Sequence, residues 1–424
     1  MKTVRETVDV LVAGGGTAGH IAAIQSSRAG AVTSVIEAGS MLGGTMTAGG
    51  VYTPNHYHSP FGPVVLGIPW ELYSKSKNLE GLPVPDPKQR RPVETPGYYS
   101  YVSVPIYVAL AEAEAIEAGV IIHYHEFVSQ ARAVGDQWEI TSLGRGIRRV
   151  TTAKELIDCT GDADVVRMLG LKTLHSETTQ PGSYQYKIEN IEHEQVWQGE
   201  VQALYEQAVK DGAILDTDFA YRNSQPFKYL LDSGGHNASH IMDADTSDAE
   251  GQTQADLQGR AGMLRMFRFV QSSIPGCERA ILKTMYARAV SRETYRVLGE
   301  YVVTKDDFMK AVDFEDKICN AFNYVDMHSK DGCEEVFLET GQLIPKVPFR
   351  ALIPRDSSRI TAAGRIVSAE RWALAGIRAQ CTCMAMGQAM GAAAALAVQR
   401  NVPSREIDSK DIVALTVEHG AVAP

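Results

Sequence analysis

Cysteine is scarce in this sequence, and positive charge is not in excess. Six cysteines occur in 424 residues without paired spacing, and Cys381 and Cys383 are too close along the chain for an easy disulfide. We therefore expect a reducing compartment, the cytoplasm. The net charge of −10 argues against nucleic acid as a main partner, because phosphate binding requires a basic surface.

Long apolar runs are missing as well. No run approaches the ~18 residues of a membrane span, and the first predicted strand begins almost at the N-terminus, which leaves no room for a signal peptide. At 424 residues the chain exceeds the ~150 of one typical domain, so two interleaved domains are expected. We predict a small-molecule substrate and no metal site, and leave homo-oligomer formation open.

The first forty residues have the pattern of a dinucleotide-binding βαβ unit. An apolar, β-branched run at residues 8–13 leads into the glycine turn 14–19 and then into residues 20–29, which have helical spacing. A second apolar run, 31–36, ends at Glu37. Strand, glycine turn, helix, strand and acid follow in the order that this unit requires.

Each position of the unit has a separate physical role. Gly14 would permit the tight turn, Gly16 would let the backbone approach a pyrophosphate at the helix N-terminus, and Gly19 would allow close packing. The carboxylate of Glu37 would accept hydrogen bonds from ribose hydroxyls and repel a 2′-phosphate. The remaining predicted contacts in the unit are Thr17, Ala18 and Ala38.

A second glycine-rich stretch, residues 41–50, follows the acid. At this point the sequence resembles the FAD-binding flavoproteins of the glutathione-reductase type, in which such a stretch passes the flavin end of the cofactor. A flexible loop is the alternative interpretation. The resemblance implies FAD contacts at Gly43, Gly44, Thr45, Gly49 and Gly50.

Residues 51–97 form an irregular stretch rich in Pro, Tyr, Gly and His. A long insertion without periodicity is either functional or disordered. Because it leaves the predicted flavin edge, His56 and His58 are candidates for the active site, and surface histidines on a loop are the alternative.

The next segment predicts the rest of a cofactor domain. After a helix at 104–118, residues 127–133, 138–142 and 147–152 alternate like an antiparallel meander. A further strand at 155–159 ends in the turn TGDAD, which resembles a turn beside the cofactor in the same flavoproteins. The implied contacts are Val128, Thr160, Gly161 and Asp162. Capping of the following short helix is the structural alternative for Asp162.

Residues 172–347 predict a second domain, with helices at 195–210, 253–272 and 305–311. No second GxGxxG motif occurs in the chain. Several pieces resemble the FAD-dependent oxidoreductases related to the fumarate reductase flavoprotein: SRE at 291–293, GEYVVT at 299–304, VDMH at 325–328 and VPFR at 347–350. Where that family has two adjacent arginines, Arg292 matches and Glu293 departs.

The resemblance implies which polar groups lie near the substrate. Arg292 and Arg350 would suit a carboxylate or a developing oxyanion. His328 could act as acid or base, or it could simply tie two loops together with Asp326. The polar stretch 234–240 is a second candidate region of similar standing.

The C-terminal part is predicted to return to the first domain. A short strand at 360–363 ends in Gly364 and Arg365, which resemble the flavin-ribityl turn of these proteins. An alanine-rich helix to residue 398 follows, and the family places its N-terminus at the isoalloxazine, where the dipole stabilises negative charge. A buried helix without a ligand is the alternative. Gln388 and Ala389 complete the predicted FAD contacts.

The predicted fold is α/β, a Rossmann-like FAD-binding domain with a β-meander and an inserted α+β substrate or cap domain. The predicted boundaries are 1–171 with the insertion 51–97, then 172–347, then 348–424. The expected enzyme is an FAD-dependent oxidoreductase that transfers a hydride between a small organic substrate and flavin N5. Alternatives are reduction of an activated C=C bond and, less well supported, an electron-transfer subunit.

Overall fold

A computed structural model describes residues 1–86, 100–338 and 344–424. Residues 87–97 of the predicted insertion lie outside this range. The strands are Lys2–Ala13 (β1), Thr33–Glu37 (β2), His58–Ser59 (β3), Gly62–Pro63 (β4), Ile121–Tyr124 (β5), Glu126–Val134 (β6), Gln137–Gly144 (β7), Ile147–Asp158 (β8), Thr173–Leu174 (β9), Tyr186–Glu189 (β10), Ile281–Met285 (β11), Arg296–Val297 (β12), Lys317–Asn320 (β13), Val325–Ser329 (β14), Gly332–Val336 (β15), Lys346–Pro348 (β16) and Ile360–Ala362 (β17).

The α-helices are Gly19–Arg28 (α1), Ile68–Leu79 (α2), Val104–Ala118 (α3), Asp164–Met168 (α4), His193–Gln198 (α5), Val201–Lys210 (α6), Lys228–Asp232 (α7), Ala249–Ser273 (α8), Lys305–Met309 (α9), Arg371–Ile377 (α10), Gln380–Arg400 (α11) and Ser409–Glu418 (α12). Short 3₁₀ turns lie at Asp216–Asp218, Phe349–Ala351 and Ser404–Glu406.

The central sheet has the strand order β5-β2-β1-β8-β7-β6, and β17 pairs with β8. Strands β5, β2, β1, β8 and β17 run parallel, whereas β6, β7 and β8 form an antiparallel meander. The N-terminal βαβ unit, the meander and the C-terminal return therefore build one sheet. This confirms the predicted Rossmann-like α/β class.

Strand β8 corrects the predicted division of the meander. The two strands expected at 147–152 and 155–159 are one continuous strand, paired with β1 from Lys2–Ile147 to Ala13–Asp158. The burial pattern of β8 changes along its length: its last four residues are fully buried and its first half is only partly so. The hydrophobic pattern of the sequence changes where the burial of the side chains changes, but the backbone continues as a single strand.

Helix α11 packs directly on α1 in the core. A Cβ added at Gly387 would collide with the carbonyl of Ala18, and one at Gly391 would collide with that of Ala22. Helix α11 is long and apolar enough to cross a membrane by length and composition, but 89% of its apolar window is buried inside the protein. Its apolar character is explained by core packing.

A separate hydrophobic core is drawn from residues 184–289, chiefly aromatic and aliphatic side chains of α5 to α8. Side chains between Val303 and Met327 instead join the core around α1 and α11. The segment with its own core is therefore shorter than the predicted second domain. The single helix predicted at 195–210 is interrupted by Gly199, which is extended and separates α5 from α6.

Candidate functional site

A cavity of about 550 Å³ opens at the carboxyl ends of β1 and β8. In open α/β sheets ligands bind at this edge. Ten of the residues predicted to contact the cofactor line it: Gly16, Thr17, Ala18, Gly44, Thr45, Thr160, Gly161, Asp162, Gly364 and Arg365. Three distant segments of the chain therefore meet on one cavity.

The glycine turn has the geometry that a pyrophosphate requires. Gly14 has φ +93° and its Cβ would lie 2.5 Å from the carbonyl of Cys159, while a Cβ on Gly19 would collide with the carbonyl of Gly14. In contrast, a Cβ on Gly16 would have no atom nearer than 3.9 Å. The turn thus presents bare backbone at the N-terminus of α1, and these residues fit the diphosphate of a dinucleotide such as FAD.

The acid at the end of β2 stabilises the same turn. Oε2 of Glu37 accepts a hydrogen bond from Gly15 N at 2.9 Å, and Oε1 accepts one from Gly39 N at 2.7 Å. Glu37 is buried and does not line the cavity, and its neighbour Ala38 is exposed. Each carboxylate oxygen has a second lone pair, so the ribose contact remains a prediction.

Several other predicted cofactor residues lie behind the cavity. Gly49 and Gly50 pack against the side chains of Val290 and Tyr286, where any Cβ would collide. The predicted residues that do not line the cavity are Gly14, Gly19, Glu37, Ala38, Gly43, Gly49, Gly50, Val128, Gln388 and Ala389. Gln388 is buried in α11, where its Nε2 donates to Oε1 of Gln25 at 3.1 Å.

Arg365 joins the TGDAD turn to the segment around Arg292. Its guanidinium donates to the carbonyls of Gly161 at 2.5 Å and Ser291 at 2.6 Å, and to Oδ1 of Asp162 at 2.5 Å. The alternative role of Asp162 as a helix cap is wrong. Ala163 occupies the N-cap, and the N–H of Asp164 donates to the hydroxyl of Thr160 instead, while Oδ1 of Asp162 accepts from Arg365 and Thr294.

The other end of the cavity is lined by polar residues from the middle of the chain. They include Tyr221, His236, Arg292, Asp326 and Arg378. Nη2 of Arg378 donates to the backbone oxygen of Asp326 at 2.7 Å and lies 3.2 Å from its Oδ2. Of the four predicted catalytic residues, Arg292 alone lines the cavity.

His328 is fully buried behind Asp326. Its Nε2 lies 2.9 Å from Oδ1 of Asp326, and its Nδ1 lies 2.7 Å from Nε2 of His240. Burial lowers the pKa of His328 to about 4, so the ring is neutral at pH 7. With Nε2–H donating to the carboxylate, Nδ1 accepts from His240. His328 orients Asp326 and does not reach the cavity.

The two remaining candidates lie elsewhere. His56 is buried, with its ring edge against Phe322 and Tyr324, and it does not line the cavity. Arg350 is half-exposed, 3.5 Å from Asp316 and stacked over Tyr301. His58 packs against Trp70. His56, His58 and Arg350 therefore lie outside the cavity, although Val51, Thr53 and Asn55 of the insertion line it.

Sequence reasoning missed Tyr221 and Arg378. Tyr221 lies in a polar segment without a motif, and its hydroxyl accepts a hydrogen bond from Nδ2 of Asn237 at 3.3 Å. Arg378 stands two residues before α11. Its position could have identified Arg378, because it is a cation just before a helix that is predicted to point at the cofactor. His236, which lies in the stretch 234–240, stacks on Tyr52 with ring centroids 4.0 Å apart.

Asp326, His328 and Cys333 also form a group with metal-ligand chemistry. Their ligand atoms lie within 4.8 Å of one another on the hairpin β14–β15. The Asp326 carboxylate is already bound by Arg378, and a cation would compete with this guanidinium and with the nearby charge of Arg292. The surroundings favour an anion at this end of the cavity, not a metal ion.

The chain was compared with solved structures, with curated proteins and with family models. A geranylgeranyl bacteriochlorophyll reductase-like protein from Thermoplasma acidophilum aligns over 98% of this chain and 82% of its own, at 13% identity and TM-score 0.45. OxyS anhydrotetracycline hydroxylase from Streptomyces rimosus aligns over 44% of this chain, at 18% identity and TM-score 0.30, and the match covers only 39% of that hydroxylase.

No curated protein matches the sequence. The family model described as FAD dependent oxidoreductase matches residues 9–415, nearly the whole chain. The glycine turns, the TGDAD turn that follows the meander and the C-terminal return to the sheet line the cofactor end of the cavity. The chain therefore belongs to the FAD-dependent oxidoreductases, a family of enzymes that bind FAD.

Proposed function

We propose that the enzyme transfers a hydride between a small organic substrate and N5 of FAD. The supporting observation is that one cavity is lined at one end by the glycine turns and at the other by Arg292, Asp326 and Tyr221. When bound, FAD supplies a two-electron acceptor or donor. The protein supplies a site partly shielded from water in which a substrate is held next to the cofactor.

The cofactor end contains a source of positive potential. Helix α11 begins at Gln380, and Ala379, Gln380 and Cys383 line the cavity. The N-terminus of a helix favours negative charge. We infer that α11 stabilises the negative charge of a reduced cofactor, as its position next to Gly364 and Arg365 on the same cavity supports.

The substrate end contains an ionised carboxylate and a protonated hydroxyl. Burial opposes ionisation of Asp326, but His328 and Arg378 outweigh it and hold the pKa of this carboxyl well below its usual range. Burial raises the pKa of the Tyr221 hydroxyl well above its usual value. In this proposal Tyr221 donates a proton when the substrate is reduced, and in the opposite direction the ionised Asp326 accepts the proton that an oxidised alcohol or amine releases.

Reduction of an activated C=C bond, the chemistry of the fumarate-reductase type, is the second candidate. Burial and the neighbouring Arg378 lower the pKa of Arg292. This would help a guanidinium to act as proton donor to a carbanionic carbon. An electron-transfer subunit is less well supported, because an electron carrier needs an exposed cofactor edge and this cavity extends well beyond the cofactor turns.

The test has two anaerobic parts. The FAD-loaded protein is mixed with small alcohols, amines and hydroxy acids, and the photoreduced protein is mixed with activated alkenes. We expect a substrate to change the redox state of the flavin in single turnover. Tyr221→Phe should slow substrate reduction by the photoreduced protein by ~10²-fold or more, whereas Asp316→Asn, beside the distant Arg350, should not. Flavin that exchanges electrons only with protein partners would contradict the proposal.

A further inference from the structure

Arg292 is a buried cation without a carboxylate partner in the described parts of the chain. Its side chain is held by one hydrogen bond, from Nη1 to the backbone oxygen of Pro181 at 2.6 Å, and no carboxylate oxygen lies within 4.0 Å among residues 1–86, 100–338 and 344–424. The residue is 8% exposed. A buried charge costs free energy unless it is paired, so this position lacks an anion.

The charge of every other arginine that lines the cavity in the described residues is either paired with a carboxylate or solvated by water. Arg365 is paired with Asp162, and Arg378 with Asp326. Arg288 is exposed, so water solvates its charge. Arg292 is therefore the one cavity-lining arginine of the described residues that is both buried and without an acidic partner.

The nearby carboxylates do not supply the missing charge. Asp326 is already shared between Arg378 at 3.2 Å and His328 at 2.9 Å. Glu335 faces Asp326 across the hairpin but is exposed and forms no ion pair with a described arginine. Two guanidinium groups thus stand near a single engaged carboxylate.

Tyrosines line the same region of the cavity. Tyr229 packs edge-on against Tyr221 with ring centroids 5.2 Å apart, Tyr324 lines the cavity two residues before Asp326, and Tyr101 lines it too and is 50% exposed. Aromatic faces and edges favour a flat, apolar partner. The region therefore offers a cation for one end of a ligand and rings for its body.

We propose that the substrate carries a carboxylate that pairs with Arg292, attached to a flat aromatic or unsaturated body. Arg292 can offer two parallel N–H groups to a carboxylate. The ion pair formed on binding supplies the partner that the protein lacks. This inference rests on the proposed function, because it assigns the substrate class of the same cavity.

Benzoate is a suitable probe, with benzamide as its neutral counterpart of the same shape. Isothermal titration calorimetry measures both with the FAD-loaded protein and with the FAD-free protein. We expect benzoate to bind at least 10-fold more tightly than benzamide. Arg292→Met should lower benzoate affinity at least 10-fold and leave benzamide unchanged.

Arg288→Met is the matched control, because it removes an exposed arginine from the same cavity. It should keep benzoate affinity within about 3-fold. If Arg292→Met fails to fold, Arg292→Lys keeps the charge but not the planar pair of donors, and benzoate affinity should fall 3- to 10-fold. Equal affinities for benzoate and benzamide, or a loss that follows Arg288, would overturn the proposal.

The titrations separate this inference from the proposed function. If benzoate binding depends on Arg292 but no small molecule exchanges electrons with the flavin, the carboxylate site stands and the hydride-transfer proposal fails. If turnover is found only with neutral substrates and Arg292→Met leaves it unchanged, the carboxylate assignment fails and hydride transfer stands.

Discussion

Nε2 of His328 lies 2.9 Å from Oδ1 of Asp326, and only the carboxylate of this pair reaches the cavity. The histidine of the VDMH motif therefore lies behind Asp326 and does not line the cavity itself. Its second nitrogen is bound by His240, which fixes the ring. Such an arrangement orients a carboxylate in the same way that hydrogen-bonded neighbours orient the ligands of a metal ion.

His328→Leu should slow turnover about 10- to 100-fold and should leave FAD bound. Because His328 lowers the pKa of Asp326, its loss should raise that pKa and move the acid limb of the kcat/KM profile to higher pH. A pH profile with unchanged limbs would show that His328 has a packing role alone. His56→Gln, which alters a buried histidine outside the cavity, should leave both limbs in place.

Glu37→Ala should reduce both FAD affinity and stability. The variant leaves the N–H groups of Gly15 and Gly39 without their acceptor, and each unsatisfied buried donor costs ~1–3 kcal/mol. Urea unfolding of the FAD-free protein measures the stability effect, and flavin content after gel filtration measures the ribose contact. Lost stability with unchanged flavin content would confine Glu37 to the glycine turn.

Gly387→Ala should separate α11 from α1. The added Cβ would collide with the Ala18 carbonyl, and overpacking of a core typically costs ~1–3 kcal/mol. Ala18 also lines the cavity, so FAD affinity should fall together with the thermal midpoint. Ala385→Ser, a partly buried position on the same helix, should change neither by much; equal effects would argue against the close approach of the helices.

Acid should destabilise the protein through its buried histidines. Burial lowers the folded-state pKa of His20 from 6.5 to about 4, so the unfolded chain binds a proton first as the pH falls. The contribution to stability is complete above pH 6.5 and is lost as the pH falls toward 4, by at most ~1.4 kcal/mol per pH unit. Urea midpoints between pH 7 and 4.5 should fall more steeply for the wild type than for His20→Gln. Equal slopes would contradict a neutral, buried His20.

The two ends of the chain were predictable because their signals are local. A glycine turn between a strand and a helix, and a strand ending in Gly364 and Arg365, constrain the backbone within a few residues. The continuity of β8 was not predictable, because its first half takes its pattern from partial burial and its second from full burial.

The substrate end was predicted only in part for a different reason. Tyr221, Arg292, Asp326 and Arg378 come from four segments that meet only in the folded chain. Arg292 could be selected because it lies in a motif, but Arg350 lies in one too and the fold points it at Asp316 near the surface. Residue type and motif alone could not show which of the two arginines lines the cavity, because this depends on the path of the folded chain.

The guanidinium of Arg365 spans 204 residues of chain to Gly161 and 74 to Ser291. A chain emerging from the ribosome has its glycine turn early, but it lacks β17 and Arg365 until almost nine-tenths of its 424 residues are made. Folding tends to follow synthesis from the N-terminus. This link between the two ends of the cavity therefore forms late in synthesis, so a nascent or C-terminally shortened chain would have a cofactor turn without a completed cavity.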